Sequence, residues 1–312
     1  MRKVKDSNYK IYIYGMGKEY NKLSSYLPLY KSKLEILGIV TTEKQDISSI
    51  DGYPCMTVKE IDLNEMDYII IAVIKWKEIL DILGQCGVDE SKIIRSTAFY
   101  SPCFDLDGYL KLKNSNISIL ANYCLGGFIY KELGLKVLSP TVNMFCLGDG
   151  YLEFLENYPY YLSLQMQEYE NDTYIEETSG QAAFLPKGIL GNKVVWYFNH
   201  HIFAKDAVND WNEKAKRVNF NNVAAIMILH NDEEAYRFSK LNIDKKLGIY
   251  YKNLGGKNII CCSKWNDPRE QAKYDWNWPT AANRYLSAYE GDVSPVNWIK
   301  FLNGEKDYLR YR

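Results

Sequence analysis

The sequence predicts an α/β protein, with a Rossmann-like parallel-sheet domain over residues 1–108 followed by a second, larger α/β domain over 109–312. Three observations carry that expectation. The chain has 312 residues, beyond the size at which one hydrophobic core usually keeps growing, so two domains are expected. Short β-branched runs alternate with helical stretches through the first hundred residues, the pattern of parallel β-α-β units. A junction of strand, glycine and helix occurs in each half, at Gly15-Met16-Gly17 and at Leu125-Gly126-Gly127.

Residues 11–14 read as the first strand and 19–30 as the helix after it. Glycines at such a turn let backbone amides approach a phosphate at the helix N-terminus, which makes Gly15 and Gly17 candidate nucleotide-binding positions. The third glycine of the dinucleotide fingerprint is replaced by Tyr20, whose bulk either pushes the helix from the sheet or fills the crevice. A second strand at 36–40 runs into Thr41-Thr42-Glu43, so Glu43 is the candidate ribose ligand. A strand at 68–73 and a helix at 76–83 complete the pattern. The ligand implied is a nucleotide or nucleotide-sugar, although a degenerate relic shares the same pattern.

Residues 105–112 show no clear period and hold turn formers, which places the linker there. Asp105 and Asp107 form a D-x-D, read either as a turn or as a carboxylate pair holding a divalent cation against a diphosphate. The glycine beside them favours the turn, and no metal is predicted.

Beyond it, residues 117–124 read as a strand, Gly126-Gly127 as a turn, and 128–133 as a helix closed by Gly134. The two glycines either cradle a phosphate or oxyanion or simply permit a tight turn. Cys124 is a candidate nucleophile there, with buried core filler as the other reading. His200 and His201 follow a strand over 194–198 and should face opposite sides, which argues against a shared metal and leaves one of them either as a general base or as a structural histidine. A helix over 204–218 carries an apolar stripe of Ala204, Val208, Trp211, Ala215 and Val218. Its other face holds Asp206, Asp210, Glu213 and Arg217. Those residues are either a solvated face, with Glu213 paired to Arg217, or a cleft in which Asp206 and Arg217 meet an anionic substrate. A strand over 223–229 ends at His230, and Asn231 or Asp232 is the expected cap of the next helix.

A run over 258–262 reads as a buried strand whose Cys261 and Cys262 are free thiols, since a vicinal disulfide needs strained geometry. The last sixty residues hold Trp265, Trp276, Trp278, Tyr285, Tyr289 and Trp298, able to stack on a sugar or base or to pack inward, with Arg269 and Arg284 as candidate phosphate ligands.

One set of segments is similar to a known family: Asn122-Tyr123-Cys124-Leu125-Gly126-Gly127, Leu133-Gly134-Leu135, Ser139-Pro140-Thr141-Val142-Asn143, Tyr151-Leu152-Glu153-Phe154-Leu155, and the stretch from Ala207 to Trp211, Arg217, Val218 and Asn219. In this order they resemble the bacterial exopolysaccharide biosynthesis protein family, catalogued as a domain of unknown function. The resemblance implies a role in surface or exopolysaccharide assembly, with a small-molecule substrate or sugar acceptor. It points to a transferase moving a glycosyl or acyl group from an activated donor, served by Asn122, Cys124, His200, Asp206, Arg217 and Asn219. The competing expectation is a non-catalytic protein that binds a nucleotide or sugar nucleotide.

Composition narrows the rest. A net charge of −1 with scattered basic residues supplies no positive field for nucleic acid. The apolar runs are too short to span a bilayer, and the N-terminus lacks a signal-peptide pattern, so a cytoplasmic location is expected. Seven cysteines without a C-x-x-C pair read as reduced thiols.

Overall fold

The structure is a computed structural model that describes residues 8–100, 104–169, 174–175, 182–183, 185–255, 258–261 and 295–309. Contacts divide the chain into two compact units, Met1–Phe104 and Asp105–Arg312.

In the first unit, β1 (Tyr9–Tyr14), α1 (Lys18–Ser24), β2 (Leu34–Thr41), β3 (Ser49–Ile50), β4 (Tyr53–Thr57), β5 (Tyr68–Ile71), α2 (Trp76–Gln85) and β6 (Ile93–Arg95) follow in order. The sheet order is β3-β4-β2-β1-β5-β6, parallel throughout except for the β3–β4 hairpin. Residues 11–14 of β1 and 69–71 of β5 are buried without alternation. A parallel sheet covered on both faces demands such continuous apolar runs. The helix expected over 19–30 is shorter: α1 stops at Ser24, and Leu27–Tyr30 forms a separate 3-10 turn. Pro28 accounts for the break, because it lacks an amide hydrogen and clashes with a helical carbonyl before it.

The second unit opens with α3 (Leu106–Lys113), where the sequence suggested a linker. Asp105 caps it by accepting a hydrogen bond from the Gly108 amide at 3.1 Å. Leu106, Tyr109, Leu110 and Leu112 are all buried, so the helix lacks the one-sided stripe by which a surface helix is recognised. The D-x-D is thus a helix cap and first turn.

The chain continues through β7 (Ser118–Ala121), α4 (Leu125–Leu133), α5 (Gly148–Glu156), α6 (Tyr158–Ser163), β8 (Gln167–Tyr169), β9 (Tyr174–Ile175), β10 (Ala182–Ala183), β11 (Lys187–Leu190), β12 (Val194–Tyr197), α7 (Ala204–Ala215), β13 (Val223–Ile228), α8 (Asp232–Lys240), β14 (Lys245–Tyr250), β15 (Ile259–Cys261) and α9 (Trp298–Leu302). Strands β15-β14-β13-β7 form a parallel sheet, and β12-β11-β8 an antiparallel one. All six residues of β13 are buried. Strand β7 lies at the sheet edge, where bare backbone groups invite unwanted pairing. Here they are occupied: the Tyr130 hydroxyl accepts from the Ile119 amide at 2.8 Å and donates to the Ile117 carbonyl at 3.1 Å, and Thr141 Oγ1 accepts from the Ala121 amide at 3.1 Å.

Between β7 and β13 the chain builds an aromatic core. Trp196 and Trp211 lie 4.7 Å apart and meet Phe154 edge-on, all fully buried. Trp211 thus faces inward as its place on the apolar stripe required. Trp298 is buried against Phe301. Cys262, Trp265, Arg269, Trp276, Trp278, Arg284, Tyr285 and Tyr289 lie outside the described residues.

Candidate functional site

Ligands of open parallel sheets collect beyond the carboxyl ends of the strands. At that end of the second unit, β7 leads into Asn122, Tyr123 and Cys124, and the neighbouring β13 leads into Leu229 and His230.

Asn122 is 1% exposed, and its amide is spent on the next strand. Its Oδ1 accepts from the Ile228 amide at 2.9 Å while its Nδ2 donates to the Ile228 carbonyl at 3.0 Å. The side chain therefore closes the β7–β13 ladder where the strands separate, and its own carbonyl accepts from the Cys146 amide at 3.0 Å. Asn122 is thereby committed to the backbone of the neighbouring strand. It fixes where the next two residues stand.

Those two residues each meet a histidine. The Tyr123 hydroxyl is 3.1 Å from His230 Nε2, and Cys124 Sγ is 3.9 Å from His200 Nε2 and 3.9 Å from Asn199 Nδ2, which donates to it. The chain has three histidines, so two of them converge on consecutive residues. The third, His201, turns to Asp210 at 3.8 Å. His200 and His201 do not continue a strand, because β12 ends at Tyr197 and both belong to the turn before α7.

The surroundings hold these groups in place. Tyr123 stacks on Phe145 at 5.9 Å and 4°, and Phe145 on Tyr197 at 4.8 Å and 6°. Phe145 and Tyr197 also exchange backbone hydrogen bonds of 3.0 and 2.8 Å, which anchors β12 just before Asn199 and His200. The His230 amide donates to Glu234 Oε2 at 2.8 Å, with Glu234 buried at 6% exposure in the first turn of α8. Asn231 caps that helix by accepting from the Glu234 amide at 2.8 Å, in line with the sequence reading.

Cys124 is half-buried at the N-cap of α4, with its amide donors ahead of it. Burial pushes its thiol above the ordinary value, while the hydrogen bonds from Asn199 and from its own backbone oppose that shift. Desolvation of the thiolate outweighs them. A thiol held neutral in this way needs a base to become a nucleophile, and His200 is the group within reach.

Gly126 and Gly127 lie inside the first turn of α4 rather than in a turn before it. A Cβ at Gly126 would stand 3.1 Å from Ala121 Cβ, and one at Gly127 3.1 Å from Val142 Cγ1. Glycine here serves close packing of the helix against β7 and the 139–143 segment.

Two of the residues expected at the site, Asn219 and Arg217, are elsewhere. Asn219 ties the opposite end of the sheet together: its Nδ2 donates to the Asn116 carbonyl at 3.0 Å, and its backbone amide donates to Ser118 Oγ at 2.8 Å. Arg217 lies beyond the end of α7, exposed and two residues from Asn219, so the amino ends of β7 and β13 are its neighbourhood. Glu213 pairs with Lys216 at 2.6 Å instead of Arg217, because the helix stops at Ala215 before the fourth-residue spacing is reached. Asp206 is exposed in the first turn of α7. Sequence reasoning missed Tyr123, Asn199 and His230 as members of the cluster. The available signals were that Tyr123 adjoins Cys124, that Asn199 adjoins His200, and that the strand over 223–229 ends at His230.

In the first unit, Gly15 has φ of +109° and a Cβ there would be 2.6 Å from both Ala72 O and Val73 Cγ1. That position requires glycine for the end of β1 to pass β5. Space around Gly17 is open. Tyr20 is buried, and its hydroxyl donates to Asp51 Oδ2 at 2.8 Å. The Tyr14 hydroxyl is hydrogen-bonded to Thr42 Oγ1, beside the exposed Glu43. Among the described residues no group of three or more His, Cys, Asp or Glu is placed to hold a metal ion, and no helix is long and apolar enough to cross a membrane.

Comparison with known proteins agrees with the two-part layout. A family profile described as "C2185-like, N-terminal" matches residues 7–94, and one described as "Domain of unknown function (DUF1919)" matches 96–300. An uncharacterized protein of Haemophilus influenzae is 24% identical over 117 residues, which is 38% of this chain and 52% of that one. The chain thus spans about half the length of this curated relative. Aspartate semialdehyde dehydrogenase II of Vibrio cholerae, solved with ASA, aligns over 50% of this chain and 48% of that chain at 11% identity with a TM-score of 0.24, a likeness too low to carry an argument. The second profile contains every member of the cluster at the ends of β7 and β13, and on its match the chain belongs to the DUF1919 family, a domain of unknown function.

Proposed function

We propose that the second unit is a transferase that moves an acyl group from an activated donor through Cys124, with a sugar hydroxyl of surface or exopolysaccharide assembly as acceptor. The observation that carries this reading is the convergence of His200 and Asn199 on Cys124 at the N-terminus of α4. His200 removes the thiol proton as Cys124 Sγ attacks the donor carbonyl, and returns it to the departing group. The free amides of the first turn of α4 face the carbonyl oxygen as it gains charge. A thiol nucleophile favours acyl over glycosyl transfer, since a thioester is readily attacked by a hydroxyl whereas a thioglycoside resists it. Asp105 and Asp107, committed to the start of α3, offer no support for a metal-held diphosphate. The polysaccharide setting rests on the family resemblance alone.

The first unit, in this reading, contributes a nucleotide or nucleotide-sugar site at Gly17, with Glu43 at its edge. The open space at Gly17 supports it. Its test is a thermal-shift panel of nucleotides and nucleotide sugars against the natural protein and Gly17→Val.

The acyl-transfer reading is tested with p-nitrophenyl acetate and acetyl-coenzyme A as donors. Rapid mixing and peptide mass mapping should find one acetyl group on Cys124, absent in Cys124→Ala, with formation slowed about 10²–10⁴-fold in His200→Gln. Acetylation that survives in Cys124→Ala, or that never forms, overturns it.

A further inference from the structure

We infer that the amino end of the second unit's parallel sheet carries a binding site for a single neutral pyranose residue, in a cleft between the turn before β13 and the turn before β14. It does not rest on the acyl-transfer reading. Strand β13 holds this end roughly 20 Å from the carboxyl end, more than one sugar ring can bridge.

The cleft encloses about 240 Å³ and is lined, among the described residues, by Tyr158, Phe220, Asn221, Asn242, Asp244 and Lys245 with their immediate neighbours. Pockets that take drug-sized ligands run from about 300 to 1,000 Å³. This volume suits one monosaccharide rather than a nucleotide. Phe220 is 49% exposed, and its ring lies 6.3 Å from that of Tyr158 and 12° from parallel. A pyranose carries C–H bonds on its faces and hydroxyls around its edge, so it packs a face on an aromatic ring while its hydroxyls take polar partners. Both kinds of partner are present. The carboxamides of Asn221 and Asn242 are exposed and each offers a donor and an acceptor, Asp244 accepts, and Lys245 donates.

The two turns are held in place by the protein itself, which lowers the ordering cost of binding. Asn219 Oδ1 accepts from the Asn221 amide at 3.2 Å, its carbonyl accepts from the Asn222 amide at 3.0 Å, and Asn222 Nδ2 donates to the Ser115 carbonyl at 2.9 Å. Lys245 Nζ donates to Asn222 Oδ1 and so joins one turn to the other. Lys246 Nζ fixes the start of the second turn by donating to the Ser239 carbonyl at 2.8 Å and to that of Leu241.

The surroundings favour a neutral occupant over a phosphate. Phosphates are gathered by helix N-termini, whereas α8 finishes at Lys240, two residues before Asn242. Asp244 adds a carboxylate that repels anions. Burial, followed by the neighbouring Lys111, lowers the pKa of the Lys245 ammonium, and an uncharged hydroxyl is an adequate acceptor for it.

Saturation-transfer-difference NMR tests the site with methyl β-glucoside, methyl β-galactoside and methyl β-N-acetylglucosaminide, and with uridine monophosphate as the anionic comparison. At least one glycoside should receive saturation, most strongly at its ring C–H protons. Phe220→Ala and the double variant Asn221→Ala/Asn242→Ala should each weaken that binding about tenfold or more. All three side chains are exposed, and circular dichroism confirms that the variants keep the fold. The inference is overturned if no glycoside receives saturation, or if the signal survives both variants, which puts the sugar elsewhere. A Phe220-dependent signal from uridine monophosphate stronger than from every glycoside also overturns it, since the cleft is then an anion site.

Discussion

The carboxyl ends of the two parallel sheets begin from similar sequence and arrive at different chemistry. In the first unit β1 runs into Gly15-Met16-Gly17; in the second β7 runs through Cys124 into Gly126-Gly127. At Gly15 the backbone takes a left-handed conformation and passes against Ala72 and Val73, while the nearby hydroxyls of Tyr14 and Tyr20 are bonded within the unit to Thr42 and Asp51. At Gly126 the backbone is plain helix, and the polar groups beside it, a thiol, a phenol and two imidazoles, pair with one another near the surface. Glycine after a strand therefore marks close backbone packing in both units. What separates them is which side chains the neighbouring segments bring to that end.

Four substitutions test this contrast in stability and reactivity. The largest effect is expected at Asn122. Asn122→Leu removes both partners of the Ile228 backbone in the buried sheet, and leaving two such groups unsatisfied should cost about 2–4 kcal/mol in urea denaturation. A loss under about 0.5 kcal/mol would mean that the clamp is dispensable.

The glycines should then separate from one another. Gly15→Ala forces a side chain into a left-handed conformation and against Ala72 O, for an expected loss of about 2–3 kcal/mol. Gly126→Ala meets Ala121 Cβ at 3.1 Å, yet gains about 1 kcal/mol of helix propensity, so its net change should stay within about 1 kcal/mol. Equal losses at the two positions would erase the distinction drawn between them.

The smallest effect concerns the thiol. Alkylation of Cys124 by iodoacetamide, followed by peptide mapping against pH, should reach its midpoint above the value of about 8.5 for an unstructured cysteine, because burial disfavours the thiolate. Asn199→Ala removes a hydrogen bond that favours the thiolate, and the midpoint should move higher still. A midpoint below that of an unstructured cysteine would show the helix N-terminus prevailing over burial.

Much of the framework was legible without the fold. Continuous apolar runs at 11–14, 69–71 and 223–228 identify strands buried on both faces, and Gly134, with φ of +59°, ends α4 where its position suggested. The failures have local causes. Pro28 shortened α1, full burial concealed the period of α3, and the early end of α7 separated Arg217 from Glu213.

For the site, the sequence by itself determined the strand-to-helix junction at Cys124, the scarcity of histidines and a helix cap at Asn231 or Asp232. These depend on composition and on neighbours a few residues apart. Only the tertiary structure decided that Tyr123 meets His230 across 107 positions, that Cys124 meets His200 across 76, and that Asn219 is at the far end of the sheet. Such pairings follow from which strands lie side by side and from where the turn after β12 is anchored. A one-dimensional pattern specifies which face of an element is buried, but it does not specify which distant segment arrives beside it.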